Sequence, residues 1–116
     1  MAFHPDWIVP DWPAPASVRA VFTTRAGGVS DAPWDTLNLG SHVGDDTAAV
    51  EANRERLRQA IGTRPVFLEQ VHGTTVVDLD APERAAAGSA VPEADGCTSA
   101  TTGQACTIMV ADCLPV

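Results

Sequence analysis

The apolar and polar positions fall into a few short alternating runs, one helical stripe and one long stretch with no period. Val18 to Thr24 (VRAVFTT) alternates as a strand does. Val66–Val71 and Thr74–Leu79 are both rich in β-branched and apolar residues, and the His72-Gly73 dipeptide between them predicts a two-residue hairpin turn. From Gln104 to Ala111 the run is nearly continuous, which predicts a strand covered on both faces. One helix is predicted over Thr47–Ile61, capped by Asp45 or Asp46 and stopped by Gly62. Val50, Leu57, Ala60 and Ile61 fall near one face of it, and Glu51, Arg54, Glu55 and Arg58 supply opposite-charge pairs on the other. These elements predict the α/β class: a layered mixed sheet with strands near 18–24, 66–71, 74–79 and 104–111 and the helix packed on it.

Three stretches carry little periodicity. Residues 1–16 hold four prolines and two tryptophans and predict a surface arm pinned by Trp7, Ile8 and Trp12. Residues 25–46 contain four glycines and form a long loop. Loops of that length in a compact domain are functional or disordered, and Trp34, Leu37, Leu39 and Val43 argue for order. Residues 80–94 are small, polar and Pro-containing, with one helical turn expected at Glu83–Ala87.

Composition narrows the function classes. At 116 residues with 45% apolar and 19% charged content, one core is expected. The formal charge is −8 and the chain has seven arginines and no lysine, so the basic face that nucleic acid or an anionic membrane needs is missing. Without lysine there is neither a Walker-type phosphate loop nor a Schiff base. No stretch approaches the about 20 apolar residues of a membrane helix, and four prolines interrupt the N-terminus, so a cytoplasmic protein is expected. Three cysteines, Cys97, Cys106 and Cys113, read as free thiols, with Cys106 packed as a small hydrophobe and Cys97 structural.

The candidate chemistry is scattered along the chain. Arg25 with Gly27, Gly28 and Ser30 follows a predicted strand and can present a guanidinium and backbone N–H groups to a phosphate, although a Gly-Gly turn beside a salt-bridged arginine explains the same residues. Asn38 and His42, among glycines, can line a pocket or serve turn and capping duties. His72 is either a ligand or a polar turn residue. Asp112-Cys113 ends the last apolar run, where a thiolate can act as metal ligand or nucleophile. Spacing alone gives no complete zinc site, because catalytic zinc wants three protein ligands and only His72 and Cys113 stand at plausible strand ends.

The motifs FTTRAGGVS, LNLGSHVGDD, ANRERL, FLEQVHGTTVV, EADGCTS and VADCLPV, in that order from Phe22 to Val116, resemble the YfiH-like laccase-domain family, also called polyphenol oxidase-like proteins. The resemblance implies a CNF/YfiH-like fold, with this chain as the N-terminal portion of one such domain. It implies phosphorolysis of adenosine, inosine, guanosine or methylthioadenosine by phosphate, with adenosine deamination as a second activity. It also implies zinc, held by His72, Cys113 and a histidine of a later HAGWRG-like segment that has no counterpart up to Val116. Arg25, His42 and Cys113 then read as catalytic, and Arg25, Asn38 and His42 as substrate-binding. Zinc suits deamination because it lowers the pKa of a bound water to about 7. Copper fits less well, since multicopper sites consume many histidines and this chain has three. Two alternatives remain open: a Cys-His hydrolase with Asp112 or Asp95 orienting the imidazole, and an inactive fragment short of its third metal ligand.

Overall fold

A computed structural model describes residues 2–86, 88 and 90–111, without the side chains of 85 and 86. The chain separates into two compact units, Met1–Gly62 and Thr63–Val116. The α/β class holds.

In the first unit the helix forms where the sequence places it. α1 spans Thr47–Ile61 and ends on Gly62, whose φ of 73° lets its N–H reach the Arg58 carbonyl at 2.9 Å. Asp46 occupies the N-cap without a side-chain cap bond, and the Asp45 carboxylate is engaged elsewhere. The buried stripe is Val50, Asn53 and Leu57, so a polar residue sits where the apolar pattern leads one to expect none. Ala60 and Ile61 are only half-buried.

The strand expected at 18–24 is reduced to a single antiparallel bridge, in which Phe22 and Ile8 exchange backbone hydrogen bonds of 2.8 Å. Extension fails for a covalent reason: beyond Ile8 the facing arm carries Pro10, Pro13 and Pro15, which have no N–H to donate to a ladder. Of the three residues expected to pin the arm, Trp7 alone is buried, with its indole N–H on the Ala26 carbonyl at 2.9 Å. Ile8 and Trp12 are exposed.

All named strands belong to the second unit: β1 (Arg64–Val66), β2 (Val76–Asp78), β3 (Gly96–Thr98) and β4 (Gln104–Cys106), with a short helix α2 (Pro82–Ala86) after β2. They form two parallel pairs. β1 runs beside β4 with Val66 opposite Cys106, and β2 beside β3 with Val77 opposite Cys97. The predicted hairpin through His72-Gly73 is therefore not formed. A parallel partner needs a long crossover, and each of these strands finds its neighbour some twenty or more residues away rather than across a tight turn.

The apolar run after Gln104 stays in ladder register only as far as Cys106, and Ile108 and Val110 are exposed. There the Gln70 side chain takes over as surrogate backbone: its amide donates to the Met109 carbonyl at 2.9 Å and its carbonyl accepts the Met109 N–H at 2.8 Å. Val66, Leu68, Leu79 and Ala94 form the small core of this unit. Cys106 is exposed rather than packed. Cys97 is half-buried, and its thiol is pushed up to about 11, chiefly by burial and then by the neighbouring Cys106 thiol.

Candidate active site

The long loop of the first unit is ordered by a network that begins on α1. Asn53 is fully buried. Its carbonyl oxygen accepts the Val29 N–H at 2.8 Å, and its amide nitrogen donates to Ser30 Oγ at 2.9 Å and to the Asn38 carbonyl at 2.8 Å. One side chain thus ties two separate parts of the loop to the helix. Ser30 Oγ passes its own hydrogen to Asp45 Oδ2 at 2.6 Å, and Asn38 Nδ2 donates to the same oxygen at 3.1 Å. These donors hold the Asp45 carboxyl below its usual range, the Ser30 hydroxyl most strongly, against a smaller opposing effect of burial. Next along α1, the Arg54 guanidinium donates through Nε to the Leu39 carbonyl at 2.8 Å.

The glycine turn is packed backbone against backbone. A Cβ on Gly28 would lie 2.1 Å from the Thr36 carbonyl oxygen, so no larger residue fits there. Thr36 Oγ1 accepts the Gly28 N–H at 3.1 Å and donates to the Arg25 carbonyl at 2.9 Å. The Ala26, Val29 and Ser30 amides are likewise taken by Thr24 Oγ1, Asn53 Oδ1 and the Thr36 carbonyl. The expectation that this turn aims backbone N–H groups at a phosphate is corrected here: those of residues 26, 28, 29 and 30 all serve the loop's own fold.

Arg25 is different. Its Nε donates to the Asp35 carbonyl at 2.7 Å and its Nη2 lies 3.1 Å from Asp35 Oδ1, yet the side chain remains 73% exposed. One edge of the fork is anchored and the other donors face water. Asn38 is committed to the loop, donating to the Gly40 carbonyl at 3.2 Å and accepting the Gly40 N–H at 3.1 Å besides its bond to Asp45. His42 is exposed, beside Gly40 and within reach of the same turn. Arg25, Asn38 and His42 therefore belong to one ordered loop.

His72 belongs to the second unit. It is exposed and adopts φ 60°, the left-handed region that few non-glycine residues occupy. Asp95 accounts for it. Oδ1 accepts the Val71 and His72 N–H groups at 3.0 and 2.8 Å, and Oδ2 accepts that of Gly73 at 2.7 Å. Three successive amides converge on one carboxylate, the concave backbone arrangement that ordinarily receives an anion. They lower the Asp95 carboxyl below its usual range, Gly73 first, with burial opposing and the His72 charge a smaller aid. Both oxygens of Asp95 thus serve the backbone rather than the imidazole, unlike the orienting carboxylate of a Cys-His hydrolase.

Cys113 and Asp112 lie outside the described residues. Among the described residues no group of three or more His, Cys, Asp or Glu side chains is gathered to hold a metal. Nor is any helix among them long and apolar enough to cross a membrane. Of a zinc site they contribute one donor, and it suits the ion: the His72 ring is exposed and makes no hydrogen bond to a described residue, and an imidazole with a thiolate is a donor pair zinc accepts. Sequence reasoning missed Asn53 and the clamping role of Asp95. The first had a signal, a lone polar residue three after Val50 and four before Leu57. The second had none, because an aspartate before a glycine reads as a turn.

Comparisons with known proteins converge. The sequence profile described as multi-copper polyphenol oxidoreductase laccase matches residues 19–116. A Pseudomonas aeruginosa protein named purine nucleoside phosphorylase is 60% identical over 109 residues, covering 94% of this chain and 42% of that protein. The Escherichia coli purine nucleoside phosphorylase YfiH is 49% identical over 111 residues, covering 94% of this chain and 44% of its own. The chain thus spans less than half the length of these relatives. Among solved structures, a Neisseria meningitidis protein superposes with a TM-score of 0.83 at 44% identity, over 93% of this chain and 43% of that one. YlmD from Geobacillus stearothermophilus gives 0.62 at 35% identity, over 74% of this chain and 34% of its own.

Proposed function

The chain belongs to the multi-copper polyphenol oxidoreductase laccase family, the YfiH-like proteins, and from that premise we propose that it is part of a zinc-dependent purine nucleoside phosphorylase. The substrates would be adenosine, inosine, guanosine or methylthioadenosine together with inorganic phosphate, giving the free base and a pentose 1-phosphate. Adenosine deamination would be a second activity. The name shared by the similar proteins supports the phosphorolytic reading, and so does the order of the loop that carries Arg25, Asn38 and His42.

The observation that carries the reading is the state of Arg25. Its guanidinium is held on one edge by Asp35 while the rest of the fork remains exposed. A fork fixed in this way loses little freedom on meeting a phosphate and offers it charged donors. Because the amides of residues 26, 28, 29 and 30 are spent inside the loop, the guanidinium is the group that would take the anion. His42, exposed on the same loop, would meet the nucleoside, while Asn38 shapes the turn that carries it. His72 and Cys113 would hold the zinc, which when bound supplies a Lewis acid.

The test is incubation of the protein, as its gene encodes it, with inosine in the presence and absence of phosphate. Ribose 1-phosphate should appear only with phosphate. Arg25→Ala should raise the KM for phosphate at least tenfold, as expected for a charge-assisted hydrogen bond worth about 1.5–3 kcal/mol, with folding unchanged. Turnover that needs no phosphate and vanishes on thiol alkylation would instead establish the Cys-His hydrolase.

A further inference from the structure

We infer that Asp95 is the positioning residue for the His72 imidazole: its carboxylate fixes the backbone of Val71, His72 and Gly73 and so presets the ring for a metal. This rests on the reading of His72 as a zinc ligand and goes beyond it by naming what makes the ligand competent. The turn is exposed, and Val71, His72 and Gly73 are all solvent-accessible, so burial does not hold it. Left to itself, a histidine at φ 60° would relax, because the left-handed region is disfavoured for an L-residue. What opposes relaxation is three short hydrogen bonds from consecutive amides to one side chain. Asp95 is tied down in turn, since its own N–H donates to the Thr75 carbonyl at 3.0 Å and β3 starts at the next residue. Fit is close on the remaining side too: a Cβ on Gly73 would stand 3.2 Å from Asp95 Oδ2.

An imidazole ligand is ordinarily oriented through its second ring nitrogen. Here the same end is reached through the main chain. A turn that already holds its bound conformation loses less freedom when the ion arrives, so removal of the carboxylate should weaken metal binding even though Asp95 touches no metal.

Zinc affinity of the protein as its gene encodes it, measured by competition with a chromophoric chelator, tests this. Asp95→Ala should weaken zinc binding about 10- to 100-fold, the range found when supporting partners of metal ligands are removed. Asp95→Asn, which keeps one acceptor oxygen but sets an NH₂ against a backbone N–H, should fall between. On a His72→Ala background, Asp95→Ala should change zinc affinity no further, since a carboxylate acting through His72 has nothing left to act on. Affinity within twofold of the parent in a folded Asp95→Ala protein overturns the inference. If His72→Ala itself leaves zinc affinity unchanged, the ligand reading fails instead, and the two failures are distinct. Amide exchange in the metal-free, unaltered protein decides the matter where a variant does not fold: the Val71, His72 and Gly73 amides should exchange slowly, and rapid exchange overturns the inference.

Discussion

The loop of residues 25–46 and the turn of residues 71–73 solve one problem by different means. Each must hold irregular backbone in a single conformation without a sheet or helix of its own. The loop is held from below by a neutral amide, Asn53, wholly buried and bonded to Val29, Ser30 and Asn38. The turn is held from the side by a charged carboxylate, Asp95, at a half-buried position. A buried amide is expensive to disturb and indifferent to pH. A carboxylate near water is cheaper to disturb, and protons reach it.

The largest expected effect therefore belongs to Asn53. Asn53→Ala leaves the Val29 N–H and the Asn38 carbonyl without partners and opens a gap beneath the loop, which should cost roughly 2–4 kcal/mol of stability. Set against the 5–15 kcal/mol that holds a typical domain, such a loss would lower the denaturant midpoint sharply with little change in slope. Asn53→Asp sharpens the comparison. It keeps the shape but aims a carboxylate at Ser30 Oγ and the Asn38 carbonyl, close to Asp45. Such a group has its folded pKa raised, so its destabilisation should grow as pH rises above the carboxylate range. A midpoint for Asn53→Ala within about 0.5 kcal/mol of the parent would show that the loop stands without its anchor.

The same contrast explains what the sequence discloses. α1 is legible because its period, its charge pairs and Gly62 all agree, and the order of the long loop follows from Leu37, which is indeed buried. The partners of Asn53 are not legible: amphipathic patterning sorts a lone polar residue to the outside, and only the folded loop reveals three acceptors and donors waiting inside. Strand content shows in part: β2 and β4 fall inside the apolar runs 74–79 and 104–111, whereas the run 66–71 holds only the last residue of β1, and β3 has no apolar run to announce it. Pairing does not show at all, because apolar content says nothing of which strand lies alongside. His72-Gly73 reads as a hairpin for a sound local reason, positive φ, and His72 does adopt it. The inference failed one step later, since a left-handed residue also serves a turn clamped by a distant aspartate. Cys113, which the motif order singles out, lies outside the described residues.

Acid should separate the two regions next. The Asp95 carboxyl lies below its ordinary value when folded. Its contribution is therefore fully present above the unfolded pKa of about 3.9 and is lost as pH falls through the lower folded value. Below roughly pH 4 the amides of Val71, His72 and Gly73 should lose hydrogen-exchange protection first. Val29, held by a neutral amide oxygen, should keep its protection until the whole unit unfolds. Asp45 also releases Ser30 and Asn38 on protonation, yet neither bond involves the Val29 N–H. Simultaneous loss at all four amides would erase the proposed difference between a charged and a neutral anchor.

The smallest expected effect lies at His72 itself, and its smallness is informative. His72→Gly relieves the left-handed strain but gives the unfolded chain more freedom, and these oppose each other at roughly 0.5–1 kcal/mol apiece. Metal-free stability should therefore stay within about 0.5 kcal/mol of the parent. His72→Val removes the imidazole equally but places a β-branched residue at φ 60°, which should cost on the order of 1–2 kcal/mol. Added zinc separates backbone from ring: the parent should gain stability with metal concentration, whereas both variants should lose most of that gain. If His72→Gly weakens the metal-free protein by as much as His72→Val does, the imidazole is itself a packing element of the turn. The clamp at Asp95 would then be supporting a scaffold side chain, and the contrast with Asn53 would be one of exposure alone.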